Sequence, residues 1–153
     1  AGAEVVMIFD STAHQLAEED LNIYLGKTFN MLVKEFPNKV GYYAKDGVNY
    51  ETIIAKQEDP QINLAGMGID SNVDLRDYFK KTSSGFVQGN FSEHFLTLPH
   101  EEFLPKLDTF IEQMSVLSPE ERSGWVCGLG HGVLKTTPQE NVKEFVQRIR
   151  ASF

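Results

Sequence analysis

The chain has 153 residues, 41% hydrophobic and 24% charged, and its 14 Lys and Arg against 22 Asp and Glu give a formal charge of −8. This composition is typical of a globular protein, and apolar runs such as Val5 to Phe9 are far shorter than the ~20 residues of a membrane-spanning helix. Because there are only four arginines and no basic run, the composition also argues against nucleic-acid binding.

Short β-type runs alternate with longer helical patterns, which predicts an α/β fold of consecutive βα units with parallel strands. Five strands are predicted, over residues 4–10, 40–45, 62–70, 85–89 and 124–129. The first is almost continuously apolar, as expected for a strand covered on both faces. Three small residues in the third, Ala65, Gly66 and Gly68, predict that its backbone passes close to a neighbour or to a ligand.

Helices are predicted between and after these strands. In the first, apolar residues recur every three or four positions up to the stop signal Pro37-Asn38, at Leu21, Leu25, Phe29, Leu32 and Phe36. A shorter helix is predicted over residues 50–57, after the turn-type pair Asp46-Gly47. Ser71 or Asn72 is expected to cap the helix that follows the third strand.

The last two helices have the same apolar spacing. The fourth carries Phe103, Leu104, Leu107, Ile111 and Met114. The last begins at Thr137-Pro138-Gln139-Glu140, a capping-box pattern with proline at the first helical position. Its predicted buried stripe is Val142, Phe145, Val146 and Ile149.

The number of units is small for a closed barrel. A (β/α)8 barrel takes about 250 residues, whereas five units in 153 residues leave an open parallel sheet. The chain also begins on a strand without an initiating Met, so we expect one domain, residues 1–153, that is part of a longer chain. The alternative is a complete doubly wound domain of five strands.

Loops that follow the strands of a parallel sheet build its functional site. Here every such loop is polar: Asp10-Ser11-Thr12, Lys45-Asp46-Gly47, Asp70-Ser71-Asn72, Gln88-Gly89-Asn90 and Gly130-His131-Gly132. His131 is the sharpest candidate, because its flanking glycines allow unusual backbone angles and leave the imidazole open. A turn histidine satisfied by the backbone is the alternative.

Other chemistry has weaker support in the sequence. His14, His94 and His100 lack metal-site spacing and are predicted to be surface or loop residues. Cys127 is the single cysteine and lies in an apolar strand, where a thiol is usually inert packing. A lone cysteine, with no basic N-terminal region, predicts a cytoplasmic protein.

Several of these segments form a series: Ile8-Phe9-Asp10-Ser11, Tyr43-Ala44-Lys45-Asp46-Gly47, Gly68-Ile69-Asp70, Gln88-Gly89-Asn90, and Leu129-Gly130-His131-Gly132 followed by Thr137-Pro138-Gln139-Glu140-Asn141-Val142. In order and spacing the series resembles the C-terminal half of the uroporphyrinogen decarboxylase family, from residue 3 to about residue 150. The Leu-Gly-His-Gly turn and the helix start after it are the specific part. The resemblance implies the later part of a (β/α)8 TIM-type barrel, incomplete in this chain.

The resemblance implies a cofactor-free decarboxylase of haem biosynthesis. It removes CO2 from the four acetate side chains of uroporphyrinogen III to leave coproporphyrinogen III, with a protonated pyrrole ring as the electron sink. Ser11 and His131 would then hydrogen-bond substrate carboxylates, while Phe9 and Tyr43 would line the pocket against the macrocycle. Lys45 is the one cation predicted at a strand end.

The number and position of the cations limit the binding of such a substrate by this chain alone. The substrate carries eight carboxylates, whose burial without cations is very costly. The four arginines, Arg76, Arg122, Arg148 and Arg150, are predicted on or beside helices, away from the strand-end loops. The resemblance places the family's substrate-gripping arginines and its essential aspartate in the N-terminal half, so no catalytic residue is assigned here. We expect the isolated chain to be inactive.

Two positions depart from the family pattern: Ser71, where the family commonly has Trp, and Gly128, where it has Asn. Related barrels are zinc-dependent corrinoid or thiol methyltransferases, which need Cys and His ligands. This chain has His131 where such a protein is expected to have a thiolate. No metal site is therefore assigned. That class and a non-catalytic βα scaffold remain the alternatives.

The open sheet also predicts association. An incomplete barrel exposes two strand edges and an apolar face. We therefore expect the chain to self-associate or to bind a separate N-terminal piece. The resemblance adds that intact family enzymes are commonly homodimers.

Overall fold

The computed structural model describes residues 2–45, 64–82 and 84–153, without the side chains of Thr28 and Phe29. The strands are β1 Val6–Asp10, β2 Val40–Ala44, β3 Gly66–Gly68, β4 Phe86–Phe91 and β5 Trp125–Leu129. The helices described are α1 Glu18–Glu35, α2 Leu75–Lys81, α3 His100–Ser115 and α4 Gln139–Ser152. Short 3-10 helices cover Ala13–Gln15 and Phe95–Thr97. Within these ranges, no helix combines the length and apolar character needed to cross a membrane.

The described strands form one sheet, and they lie in it in the order in which they occur in the chain. Every neighbouring pair is parallel. A barrel adds each βα unit beside the previous one, whereas a doubly wound sheet reverses its direction at a switch point. The prediction of consecutive parallel βα units is therefore confirmed, and the doubly wound alternative is wrong.

The described helices pack against one face of the sheet, the outer face. Tyr42 and Met67 are fully or almost fully buried there, in a cluster with the helical residues Leu21, Leu25 and Tyr78. A second cluster joins β4, α3 and α4, with Phe91, Leu96, Phe103, Leu107 and Phe145 at its centre. Burying one such side chain contributes roughly 1.5–3 kcal/mol, so these two clusters fix the helices on this face.

The first strand and the first helix differ in part from prediction. The prediction that β1 is covered on both faces is wrong, because Val6 is 59% and Phe9 66% exposed. β1 is the first strand of the sheet, and Phe9 lies on the face that the described helices do not cover. In α1 the predicted Leu21 and Leu25 are buried, whereas Phe36 lies just past the helix end and is 46% exposed. The side chain of Phe29 lies outside the described residues.

The middle of the chain confirms the predicted close backbone approach. A Cβ atom on Gly66 would lie 2.3 Å from the carbonyl oxygen of Phe86, so only glycine fits between β3 and β4. The strand itself is shorter than predicted. The helix predicted over residues 50–57, the turn Asp46-Gly47 and the start of the predicted third strand at residues 62–63 lie outside the described residues.

Two predicted helix caps are wrong. The cap of α2 is Asp74, whose Oδ1 accepts a hydrogen bond from the Arg76 backbone N–H at 2.9 Å. Ser71 and Asn72 instead form a turn in which Asp70 Oδ1 accepts from the Asn72 N–H at 2.8 Å. At α4 no side chain caps the helix, and the Thr137 hydroxyl is buried with no hydrogen-bond partner in the described part of the chain.

The buried stripe of α4 is partly confirmed. Phe145 is buried and Val142 and Ile149 are partly buried, but Val146 is 38% exposed. The fully buried residue of this helix that the sequence analysis overlooked is polar: Asn141 is 0% exposed.

Candidate functional site

The carboxyl ends of the parallel strands meet at one edge of the sheet, and all five predicted site residues lie at this edge. Phe9 and Tyr43 are paired residues on β1 and β2. Ser11, Lys45 and His131 follow the ends of β1, β2 and β5. Strand order and register therefore place residues far apart in the sequence side by side.

Four of the five residues line one cavity of about 640 Å3, the inner-face cavity, on the sheet face opposite the described helices. These four are Phe9, Ser11, Tyr43 and His131. The rest of its wall is largely apolar and includes Phe86 and Val126. Its size and lining suit an apolar ligand with a few polar groups.

Lys45 lines an adjoining cavity of about 320 Å3, the strand-end cavity. Tyr43 and His131 line this cavity as well, so the two cavities share one wall. Asp70, Glu93 and His94 complete the charged and titratable groups around it. The structure thus brings the five predicted residues into one connected region.

Tyr43 presents its ring rather than its hydroxyl to the inner-face cavity. The Tyr43 hydroxyl donates a buried hydrogen bond of 2.8 Å to the carbonyl oxygen of Gly130. Its ring centroid lies 5.6 Å from that of Phe9, with the planes inclined by 50°. The two rings therefore form an aromatic wall, fixed at one end to the loop that carries His131.

The loop around His131 is held by close packing. The Gly130 N–H donates to the Phe91 carbonyl at 2.8 Å, and a Cβ on Gly130 would lie 2.4 Å from the Ser71 backbone nitrogen. Neither Gly130 nor Gly132 has a positive φ, so the predicted reason for the glycines, unusual backbone angles, is wrong. His131 itself is exposed, and its imidazole makes no hydrogen bond within the described residues.

Two neighbouring polar residues shape the loops after β1 and β3. Asp10 accepts hydrogen bonds from the Thr12 N–H at 3.0 Å and from the Tyr42 hydroxyl at 3.0 Å, which fixes the turn containing Ser11. The Asn90 amide donates to the carbonyls of Asp70 and Val73 at 2.7 and 2.6 Å. Asn90 thereby ties the end of β4 to the loop after β3.

Gln88 accounts for one departure from the family pattern. A Cβ on Gly128 would lie 2.8 Å from Gln88 Nε2, so the Gln88 amide fills the space beside Gly128. Gln88 also lines the inner-face cavity. An amide group therefore remains beside the His131 loop, supplied by the neighbouring strand.

Glu93 and His94 line the strand-end cavity and were not among the predicted site residues. His94 Nε2 lies 3.4 Å from Glu93 Oε1, and both residues line the strand-end cavity. The Glu93 side chain is only 12% exposed, and its second oxygen has no hydrogen-bond partner among the described residues. Their position just after the loop Gln88-Gly89-Asn90 was the available signal.

The arginines are only partly where they were predicted. Arg148 pairs with Asp108 on α3, and Arg122 packs on the Phe153 ring, both remote from the strand ends. Arg76 differs, because it lines a third cavity together with Ser71 and Asn90. Its guanidinium binds Asp74 and, by hydrogen bonding, lowers the pKa of that carboxyl. Among the described residues that line the two site cavities, Lys45 is the one lysine or arginine, and Asp70 and Glu93 supply the carboxylates.

The described residues give little support to the alternative of a zinc-dependent methyltransferase. Among the described residues no three His, Cys, Asp or Glu side chains are placed to share a metal ion. Cys127 packs against the second cluster, which joins β4, α3 and α4, and burial raises the pKa of its thiol to about 12. A thiol in this state is a poor metal ligand, because the thiolate is the binding form.

An open parallel sheet in chain order and helices on its outer face together define a part of a (β/α)8 barrel. The inner-face cavity lies at the carboxyl ends of the strands, where barrels of this class carry their functional sites. The family comparison agrees with this class. The family model described as "Uroporphyrinogen decarboxylase (URO-D)" matches residues 1–152. The chain belongs to this family, and its sheet is an incomplete form of the family's barrel.

Curated relatives support the same assignment. The chain is 30% identical to "Uroporphyrinogen decarboxylase" of Prochlorococcus marinus subsp. pastoris, over 96% of this chain and 41% of the relative. It is 27% identical to the protein of the same name from Orientia tsutsugamushi (strain Ikeda), over 98% of this chain and 43% of the relative. For the Desulfotalea psychrophila protein the identity is 25%, over 97% and 42%. The chain spans about two fifths of the length of these relatives.

Proposed function

We propose that this chain is the later, single-domain part of a uroporphyrinogen decarboxylase and forms one wall of its substrate cavity. The whole enzyme would remove CO2 from the four acetate side chains of uroporphyrinogen III, without a cofactor. The observation that carries the proposal is that Phe9, Ser11, Tyr43 and His131 line one cavity in a chain matched almost end to end by this family.

Each residue has a role that fits its surroundings. The rings of Phe9 and Tyr43 offer an apolar surface for the macrocycle, since the Tyr43 hydroxyl is already bound to Gly130. Ser11 and His131 line the same cavity, both are exposed, and they would hydrogen-bond substrate carboxylates. Lys45, in the adjoining cavity, would attract a further carboxylate.

The charges around the strand-end cavity indicate that this part of the enzyme cannot bind the substrate alone. One lysine faces two carboxylates around the strand-end cavity, in the part of the chain that the structure describes, while the substrate carries eight carboxylates. Binding such an anion requires more cations than these residues supply. We therefore propose that the remaining cations and the catalytic aspartate come from the other part of the enzyme.

A chimera tests this function. The segment of the Prochlorococcus relative that lies outside the match would be joined to this chain, and the chimera would be assayed beside the isolated chain. We expect decarboxylation by the chimera and none by the isolated chain.

In the chimera, His131→Gln should lower kcat/KM by roughly 10- to 100-fold, the effect of losing one hydrogen bond to a charged group. His14→Gln is the matched control, because His14 lines neither site cavity. Normal turnover by the isolated chain, or equal effects of the two substitutions, would contradict the proposal.

A further inference from the structure

A third cavity, of about 590 Å3, lies between α2 and α3 and is separate from the inner-face cavity. We call it the interhelical cavity. The loop before α2 forms one wall and a face of α3 the other, with Phe95 and Phe110 among the lining residues. These rings give it an aromatic surface, and its volume is in the range that holds a small molecule.

The charge of this cavity is opposite to that of the whole chain. Lys106 and Arg76 line it, and Asp74 is the carboxylate there among the described residues. Asp74 is bound by Arg76, so the Lys106 ammonium is left uncompensated. The Lys106 nitrogen lies 5.4 Å from the centroid of the Phe95 ring, which holds it beside the aromatic surface. A positive cavity on a chain of formal charge −8 favours a bound anion.

Neutral hydrogen-bonding groups line the same cavity as the lysine. The side chains of Asn72, Ser92 and Gln113 line the cavity, and none makes a hydrogen bond within the described residues. A ligand with one anionic group on a flat apolar body would satisfy the lysine and these donors while its rings pack on the phenylalanines.

We propose that the interhelical cavity binds an aromatic monocarboxylate. The carboxylate lies against Lys106, and the aromatic rings of the ligand pack on Phe95 and Phe110. This site does not depend on the proposed decarboxylase function. It adjoins the strand-end cavity, however, because Ser71 and Asn72 line both.

The test is isothermal titration calorimetry on the 153-residue chain with 2-naphthoate as the probe. We expect a Kd on the order of 1 mM or below, as for a fragment-sized ligand. Acetate, which lacks the rings, and 2-naphthalenemethanol, which lacks the charge, should each bind at least about tenfold more weakly.

Three variants locate the probe. Lys106→Gln should weaken 2-naphthoate binding at least about tenfold, whereas Lys143→Gln, an exposed lysine on α4, should leave the Kd unchanged. Lys45→Gln should also leave it unchanged, which separates this site from the strand-end cavity. Lys106 is exposed, so its replacement leaves the fold intact, and an unchanged unfolding temperature confirms this. No binding, an unaffected Kd in Lys106→Gln, or a loss of binding in Lys45→Gln would each overturn the proposal.

Discussion

Asn141 joins three segments of the chain through one buried amide. Its nitrogen donates to the carbonyls of Leu96 and Leu98 at 3.0 and 2.9 Å, and its oxygen lies 2.8 Å from His100 Nδ1. Because the amide oxygen can only accept, His100 carries its proton on Nδ1. The contact gives His100 a structural role that its position in the sequence did not indicate.

We expect Asn141→Ala to lower the free energy of unfolding by about 2–3 kcal/mol, because it leaves buried carbonyls without donors. Lys143→Ala on the same helix removes an exposed side chain and should change it by less than about 0.5 kcal/mol. Urea denaturation followed by circular dichroism measures both. Similar midpoints for the two variants would show that the amide contacts do not stabilise the fold.

Cys127 should be almost unreactive in the folded chain. Burial raises the pKa of its thiol from 9.0 to about 12, so the thiolate is scarce at pH 8. We expect a disulfide reagent to react at least about 100-fold more slowly with the folded chain than with the chain in urea. Equal rates in the two states would contradict the buried position of the thiol.

The same shift sets a pH dependence with a defined sign. Since the folded thiol has the higher pKa, its contribution to stability is complete below pH 9 and is lost as the pH rises toward 12. Cys127→Ala removes this contribution, so the unfolding free energy of the variant should fall less steeply over that range.

At the level of the elements, sequence spacing predicted most helices and strands but not their ends. α3 carries its predicted apolar residues, because a helix of 16 residues repeats its pattern over several turns. Caps depend on single side chains, and Asp74, Ser71 and Asn72 all suit a cap by type. Only the fold decides that Asp74 takes this position, since Asp70 and Asn90 hold the preceding turn.

The candidate site was predictable to the extent that it follows the strand ends. Phe9, Tyr43 and His131 come directly from the strand pattern and the family motifs. Glu93 and His94 were missed because the available signal, their position just after the loop Gln88-Gly89-Asn90, does not indicate where their side chains lie. Their place in the strand-end cavity depends on how the chain turns after β4, and the pattern of residue types does not predict this turn.

Two glycines in different elements should respond oppositely to alanine. Gly26 lies in α1 with open space where a Cβ would stand, so Gly26→Ala should stabilise the chain by about 0.5–1 kcal/mol. Gly66 lies in β3, where a Cβ would meet the Phe86 carbonyl, and Gly66→Ala should destabilise it by about 1–3 kcal/mol. Thermal unfolding measures both shifts; equal shifts would contradict the close approach of β3 and β4.

At the scale of the whole molecule, the two faces of the sheet differ in their cover. The outer face is buried under the described helices, whereas Phe9 and Val126 on the inner face are 66% and 48% exposed. Exposed apolar area of this kind, next to a strand edge such as β1, favours pairing between chains. The same face forms the inner-face cavity, so association would compete there with the substrate binding that we propose.

We therefore expect the isolated chain to self-associate through its inner face. Val126→Lys places a charge on that face and should shift the mass measured by light scattering toward the monomer, because a lysine must be desolvated when the face is covered. Val116→Lys is the matched control, since Val116 lies at the end of α3 and is already 76% exposed. The chain would be measured at about 100 μM, where micromolar association is evident. A monomer at this concentration would contradict self-association. Equal dissociation by both lysine variants would show that the inner face is not the surface of association. A dimer that only Val126→Lys dissociates would instead mean that a second copy covers the inner face, which we propose for the macrocycle, in the isolated chain.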